Sequence, residues 1–290
     1  MSYIGTNYKG VQRLTQRLDE DAEDGTIQCA IERAMVRGLR PVYGARLALS
    51  SRTDAGVHAY QNYANCDLTH PLAETLYKPS FITDATNRIL QENGHEIIIL
   101  ESLLVPSYFH SRVNAKWRSY VYRLASIRNH PNDSSKIYNN LRTRLPVSQV
   151  NRCHVVGFID LDLIQQCIEM LKGEHDFASF STRDTNQKDK STIKNIEQLE
   201  LRRCQPLTDF EMANNHYSMI DFFELHIKSK SFLYNQVRRM VTAILDVGMG
   251  RLKLSNIEKM LSVPNWHHPL ASTMVPACGL YLVEVGYDPN

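Results

Sequence analysis

The stretch Ser50-Ser51-Arg52-Thr53-Asp54-Ala55-Gly56-Val57-His58-Ala59-Tyr60-Gln61 sets one carboxylate, Asp54, at the tip of a turn. The residues before it, Arg46-Leu47-Ala48-Leu49, read as a strand, and so does the run from Val57 to Leu68 after it. A Thr-Asp-Ala-Gly junction between two such runs predicts a hairpin or bulged turn: aspartate hydrogen-bonds the nearby backbone and glycine accepts positive φ. Arg52 and Asp54 are two positions apart, so on an extended backbone their side chains leave the same face. A guanidinium there keeps the carboxylate ionised, which suits a nucleophile or base near neutral pH. The same residues also fit an ordinary surface turn with a solvated ion pair. Locally both readings stand.

The chain has 290 residues, 43% of them hydrophobic and 22% charged, which is the make-up of a soluble globular protein with a good core and two domains. No apolar run approaches the ~20 residues that span a bilayer, so no membrane partner is expected. The six cysteines (Cys29, Cys66, Cys153, Cys167, Cys204 and Cys278) form no Cys-x-x-Cys pair and sit among apolar residues. They read as reduced core thiols in a reducing compartment, with no disulfide framework. His58 and the pair His267-His268 lack a Cys or acidic partner at ligand spacing, and no metal is expected. There is no Gly-x-Gly-x-x-Gly or phosphate-loop pattern to hold a nucleotide cofactor.

A net charge of +2 conceals segregation. From Leu103 to Asn132 no acidic residue accompanies Arg112, Lys116, Arg118, Arg123 and Arg128, and from His226 to Leu245 none accompanies Lys228, Lys230, Arg238 and Arg239. Acid gathers instead at Asp19, Glu20, Asp21, Glu23 and Asp24. Charge sorted this way can build a basic face on a nearly neutral protein, although solvated basic strands would give the same count. No secretory signal or Arg/Ser-rich transit peptide is legible at the N-terminus. Met1-Ser-Tyr-Ile-Gly-Thr reads as the end of a strand, so the first strand is expected to be cut short at an edge.

Along the chain, a short strand over Ser2–Thr6 and a polar loop over 7–25 precede a helix at about Thr26–Arg37. Ile27, Ala30, Ile31 and Ala34 recur there at helical spacing, with Thr26 as cap. After the strands around Asp54 come a helix at Ile82–Gln91 and strands at Glu96–Leu104 and Trp117–Ala125, the last alternating with Tyr120 and Tyr122 on one face. Residues 128–152, rich in Asn, Ser and Pro, mark the junction, dividing the chain into domains 1–130 and 131–290. The second half repeats the theme: a helix at Asp160–Lys172, a polar mobile loop at 182–191, strands at 193–203 and 218–228, helices at Phe232–Val247 and Leu254–Leu261, and a strand at Leu280–Tyr287. The pattern is α+β, with helices on one face of antiparallel sheets.

Two further segments carry chemistry. Phe109-His110-Ser111-Arg112 leads into Tyr120-Val121-Tyr122, and aromatics interleaved with cations on a sheet face make a stacking platform for bases. Half-buried tyrosines packed on a helix are the alternative. In Ser231-Phe232-Leu233-Tyr234-Asn235-Gln236-Val237-Arg238-Arg239-Met240, the buried stripe is Leu233, Val237, Met240, Val241 and Ile244. Arg238 then lies at its border, and Arg239 points away.

The twelve residues around Asp54 closely resemble the signature of the TruA-like tRNA pseudouridine synthases, Arg-Thr-Asp-x-Gly-Val-His. Tyr120-Val121-Tyr122 is similar to that family's second motif and Phe232-Leu233-x-x-x-Val237-Arg238 to its third. Gly173-Glu174-His175-Asp176-Phe177-Ala178-Ser179-Phe180 and Pro276-Ala277-Cys278-Gly279-Leu280 resemble its later turn and its carboxy-terminal ending. The resemblance runs from the first strand to the last and is nearest the eukaryotic synthase-like branch, which includes mitochondrial proteins. One departure is Ser191, where the family usually carries arginine; Lys190 is the cation that would take its place.

The resemblance implies two ferredoxin/RRM-like halves whose antiparallel sheets join around a central basic RNA-binding cleft, with helices outside. It implies isomerisation of uridine to pseudouridine in tRNA without a cofactor, by a chain that is a monomer or homodimer and is mitochondrial, or otherwise cytoplasmic or nuclear. Asp54 would be the catalytic aspartate, Tyr120 would stack on the target uracil, Arg238 would pair with Asp54, and Arg52 would help hold the carboxylate. RNA contacts would come from His58, His110, Arg112, Lys116, Arg118, Tyr122, Lys228, Lys230, Phe232 and Arg239. Two other classes fit parts of the chain: a catalytically silent RNA-binding or chaperone protein, and a carboxylate glycosidase. The second calls for a partner carboxylate near Asp54, and residues 46–65 supply none.

Overall fold

The computed structural model describes residues 1–14, 24–128, 145–183, 191–205, 220–268 and 273–288. Among these the chain forms, in order, β1 (Ser2–Tyr3), α1 (Ile27–Leu39), β2 (Ala48–Leu49), β3 (His58–Ala59), β4 (Ala64–Asn65), α2 (Pro79–Glu92), β5 (Ile97–Ile98), β6 (Trp117–Ile127) and β7 (His154–Val156). Then follow α3 (Leu161–Leu171), β8 (Gly173–Asp176), β9 (Ile193–Cys204), β10 (Ile220–Ser229), α4 (Gln236–Gly248), α5 (Leu254–Ser262) and β11 (Leu280–Gly286). Mixed α+β structure is what the sequence pattern predicts. Two compact units divide the chain: Met1–Lys116 with Tyr281–Asn290, and Trp117–Leu280. The expected division at 130/131 lies outside the described residues, as do most of the acidic cluster before Asp24, Lys190, and 184–190 of the polar loop.

In the first unit the strands run in the order β5-β1-β3-β11. β1 pairs antiparallel with both β3 and β5, while Tyr281 and Leu282 of β11 pair parallel with His58 and Ala59. The first strand is therefore short, but it lies between two others and is not an edge. β2 and β4 form a separate antiparallel ribbon, Ala48 opposite Asn65 and Leu49 opposite Ala64. The hairpin expected around Asp54 does not form: β2 pairs with β4, and β3 pairs with β1 and β11. Asn62 is the reason the run after Asp54 breaks in two. Its buried amide accepts from Ser50 Oγ at 2.8 Å and from the Tyr63 amide at 2.9 Å, turning the chain between β3 and β4.

Helix α1 follows its periodicity: Ile27, Ala30, Ile31 and Ala34 are all buried, and Thr26 Oγ1 caps it by accepting from the Cys29 amide at 3.3 Å. Its Glu32, also buried, accepts from Arg13 Nη1 and from the Leu47 amide, both at 2.9 Å. β5 stops early because Asn87 of α2 captures the next residue, accepting from the Ile99 amide at 2.7 Å and donating to its carbonyl at 2.9 Å.

In the second unit β7, β6, β10, β9 and β8 lie side by side in that order, β7 parallel to β6 and the rest antiparallel. The β6–β10 pairing runs unbroken from Arg118 opposite Ser229 to Ile127 opposite Ile220, which assigns all of β6 to this unit. α3 packs on β9 and on α4, and α3, α4 and α5 present Ile164, Ile168, Leu171, Met240, Val241, Ile244 and Ile257 to the core, each about 1% exposed or less. β8 gives no apolar alternation (Gly-Glu-His-Asp) and is held by backbone pairing with β9, from Gly173 opposite Ile196 to Asp176 opposite Ile193. α4 begins at Gln236 rather than Phe232. Asn235 adopts a left-handed φ of 61°, which no continuous helix accommodates, and Leu233 lies before the helix.

Candidate active site

Asp54 belongs to the first unit, and Tyr120 and Arg238 to the second. The Asp54 turn is irregular backbone between β2 and β3, so the same-face argument for Arg52 and Asp54 does not apply there. Arg52 is exposed and Asp54 half-buried. The Asp54 carbonyl accepts from the Val57 amide at 3.1 Å, and Gly56 at φ 79° closes the turn. What fixes the turn comes from far away in sequence. The Thr53 carbonyl accepts from the Val11 amide at 3.1 Å, and the Tyr8 carbonyl accepts from the Gly56 amide at 3.3 Å. The Val11 and Gly10 carbonyls in turn accept from the Gln28 and Ile27 amides, at 2.9 and 3.2 Å, so the first turn of α1 holds the loop that holds Thr53.

Two glycines let that loop close. A Cβ on Gly5 would lie 2.0 Å from the Val57 carbonyl oxygen, and one on Gly10 (φ 108°) would lie 3.1 Å from the Thr53 carbonyl oxygen. Beneath the turn, Tyr3 Oη lies 2.8 Å from Thr53 Oγ1 and accepts from Asn62 Nδ2 at 3.1 Å. Asn62 Nδ2 also donates to the Ser51 carbonyl at 3.1 Å. Burial pushes the Tyr3 phenol up to about 12, against the pull of its Thr53 and Asn62 hydrogen bonds, so it stays a neutral strut.

His58 is fully buried: its Nδ1 accepts from the Gly5 amide at 3.1 Å and its ring stacks on Tyr281 at 4.5 Å. This corrects its expected place among RNA contacts, because the imidazole is enclosed and supports the turn from below. Tyr281 also stacks on Tyr60 at 5.0 Å, so β11 buttresses the residues just after Asp54. His110 and Arg112 are exposed on a turn pinned by Ser111, whose amide donates to Asn65 Oδ1 at 2.9 Å on β4. Lys116 is exposed and pairs with Asp288 at 2.7 Å.

In the second unit Tyr120 and Tyr122 share a face of β6, as the alternation predicts. Tyr120 meets Phe232 edge-on at 5.3 Å. Tyr122 is fully buried, and its hydroxyl donates to the Pro276 carbonyl at 2.9 Å. Burial raises that phenol well above the ordinary tyrosine value. An enclosed phenol cannot be the RNA contact expected of Tyr122. The register places Lys228 opposite Ser119, hence on the other face from Tyr120, where its ammonium sits 4.1 Å from the Trp117 ring centroid. Arg118 Nη1 donates to the Lys230 carbonyl at 3.0 Å, and the Lys230 side chain is exposed.

The two arginines of α4 diverge. Arg238 Nε and Nη2 both donate to the Val275 carbonyl, at 3.0 and 2.8 Å. Arg239 instead lines a small hollow with Ser179, Thr242, Asp246 and Met260. Two cations counted toward a basic face are matched by acids on the neighbouring strand, Arg123 inside the fold and Arg128 at its surface. Arg123, 3% exposed, pairs with Glu224 at 3.3 Å, and Arg128 pairs with Asp221 at 2.9 Å. A hydrogen bond from His226, and the charge of Arg123, hold the Glu224 carboxyl below the usual range against the opposing effect of burial. Among the described residues no group of three or more His, Cys, Asp or Glu side chains could hold a metal ion, and no helix is long and apolar enough to cross a membrane.

Sequence reasoning missed Tyr3, Gly5, Gly10, Asn62 and Tyr281 around Asp54, and Thr242 and Val275 around Arg238. None has a local pattern that announces its role.

The profile of a family described as tRNA pseudouridine synthase matches residues 167–288. A Xenopus laevis protein named tRNA pseudouridine synthase-like 1 is 31% identical over 288 residues, covering 99% of this chain and 89% of its own. The Homo sapiens protein of the same name is 31% identical over 98% of this chain and 88% of its own. A Clostridium tetani protein named tRNA pseudouridine synthase A 2 is 31% identical over 99% of this chain and 97% of its own. At this identity over nearly the whole of both chains, the chain belongs to the TruA-like family of tRNA pseudouridine synthases.

Proposed function

We propose that this protein isomerises uridine to pseudouridine in tRNA, with no cofactor, using Asp54 as its one catalytic carboxylate. The observation that carries the reading is the Asp54 turn itself, braced by Gly5, Gly10, Thr53 and Asn62 within a chain similar over its whole length to named tRNA pseudouridine synthases. Such bracing fixes a carboxylate to the tolerance that covalent or proton-transfer chemistry needs.

The two units are read as ferredoxin/RRM-like halves, an N-terminal one carrying Asp54 and a C-terminal one carrying the Val237-Arg238 helix, whose sheets join around a basic cleft. A stacked uridine is flipped out of its loop at a cost of a few kcal/mol, and Tyr120 provides the ring on which it rests. Asp54 breaks the bond between ribose C1′ and uracil N1, either by attacking C1′ or by taking a proton from the sugar. The freed base turns and bonds to C1′ through C5. The C5 proton leaves, N1 gains one, and product and substrate are isomers. Arg238 and Arg52 keep Asp54 charged and oriented. His110, Arg112, Lys116, Arg118, Lys228, Lys230, Phe232 and Arg239 supply phosphate and base contacts, as a monomer or homodimer. The branch resemblance favours mitochondria, which fractionation would check.

The test is Asp54→Asn assayed on tRNA. Pseudouridine formation should vanish while the thermal midpoint and tRNA affinity stay near those of the parent. Full turnover by this variant would sink the assignment. A parent protein that binds tRNA and deposits no pseudouridine would favour the silent RNA-binding alternative.

A further inference from the structure

We infer that Thr242 and the Val275–Pro276 segment form a positioning device that fixes the direction of the Arg238 guanidinium; this rests on the reading of Arg238 as the partner of Asp54. Thr242 lies one helical turn after Arg238 on α4, and its single hydroxyl works both ways. It donates to the Arg238 carbonyl at 2.8 Å and accepts from the Val275 amide at 3.0 Å. The Val275 carbonyl then takes both Nε and Nη2 of Arg238, at 3.0 and 2.8 Å. Backbone and side chain of one arginine are thus joined into a closed circuit through one hydroxyl and one peptide unit. A guanidinium held along its Nε edge by a carbonyl presents its Nη1 end in a fixed direction.

The segment is itself held firmly. Val275 precedes a proline, which restricts it to extended backbone, and it is 6% exposed. The Pro276 carbonyl accepts from the Tyr122 hydroxyl at 2.9 Å. Three residues on, a Cβ at Gly279 would lie 2.7 Å from Tyr122 Cζ and 2.8 Å from the Arg123 carbonyl oxygen, so the chain presses directly on β6. Nothing in the circuit is charged except Arg238. Its effect is on where the charge points.

Thr242→Val keeps shape and removes both hydrogen bonds, while Thr242→Ser keeps them. In single-turnover assays with enzyme in excess, Thr242→Val should slow pseudouridine formation about 10- to 100-fold, with tRNA affinity changed by less than about twofold. Thr242→Ser should restore the rate. In an Arg238→Lys background, which lacks the Nε edge, adding Thr242→Val should cost nothing further. If Thr242→Val does not fold, Tyr122→Phe, acting at the far end of the segment, enters the same cycle. Parent-like turnover in Thr242→Val, or equal losses in both backgrounds, would overturn the device. Full turnover by Arg238→Lys alone would instead remove the role of Arg238, and the device with it.

Discussion

The two units hold their functional side chains in opposite ways. Asp54 stands on irregular backbone and is fixed by groups from four separate stretches of chain: Gly5, Gly10–Val11, Asn62 and, through His58 and Tyr60, Tyr281. Arg238 stands on a regular helix, and its Nε and Nη2 both donate to the Val275 carbonyl, which Thr242 of the same helix holds in place. A loop site distributes its dependence over the whole unit. A helix site draws much of its support from its own helix and one neighbouring segment.

That contrast breaks most easily at the glycines. Gly5→Val should unfold the first unit or cost about 4 kcal/mol or more, because backbone on both sides has no room to yield. Gly279→Ala should cost less, about 1–3 kcal/mol, since a tyrosine ring is one of the two groups it meets. Denaturant melts of both would settle the order, and a parent-like midpoint for Gly5→Val would refute the clamp.

Asn62→Ala comes next. It removes the buried hydrogen bonds that Asn62 makes to Ser50, the Ser51 carbonyl and the Tyr63 amide, and a loss of about 2–3 kcal/mol is expected. Turnover should fall by more than global stability explains, because Ser51 leads straight into the Asp54 turn. Activity that falls only in step with the folded fraction would mean the turn does not depend on Asn62.

The smallest effect belongs to the second unit. Glu224 has a folded pKa below its unfolded value, so its hydrogen bond from His226 and its ion pair with Arg123 contribute stability above the ordinary glutamate range of about 4.3. The contribution is lost as pH falls through the lower folded value. Glu224→Gln should therefore be less stable than the parent at pH 7, and the two should converge as pH drops below about 4. A gap independent of pH would show that the charge of Glu224, held by His226 and Arg123, is not its source.

What was legible in the sequence follows the same divide. The stripe of α1, that of α4 from Val237 onward and the alternation of Tyr120 with Tyr122 on β6 repeat within a few residues and lie where their period places them, while Leu233 falls before its helix. Asp54 could be singled out because it sits in a motif, and Arg238 likewise. The brace around Asp54 could not be, since Tyr3 meets Thr53 across 50 positions and Asn62 meets Tyr3 across 59. Charge counting misled for a related reason. Arg123 and Arg128 look basic in one dimension, and their cancelling partners, Glu224 and Asp221, arrive on the neighbouring strand.

The parallel seat of β11 beside β3 has a consequence for biosynthesis. The strand that props the residues after Asp54 is translated more than two hundred positions later, after the entire second unit. A nascent chain on the ribosome therefore carries Asp54, Tyr120 and Arg238 before the scaffold around Asp54 can close. Premature termination just ahead of Tyr281 would spare most of the polypeptide and still leave the chemistry without its frame.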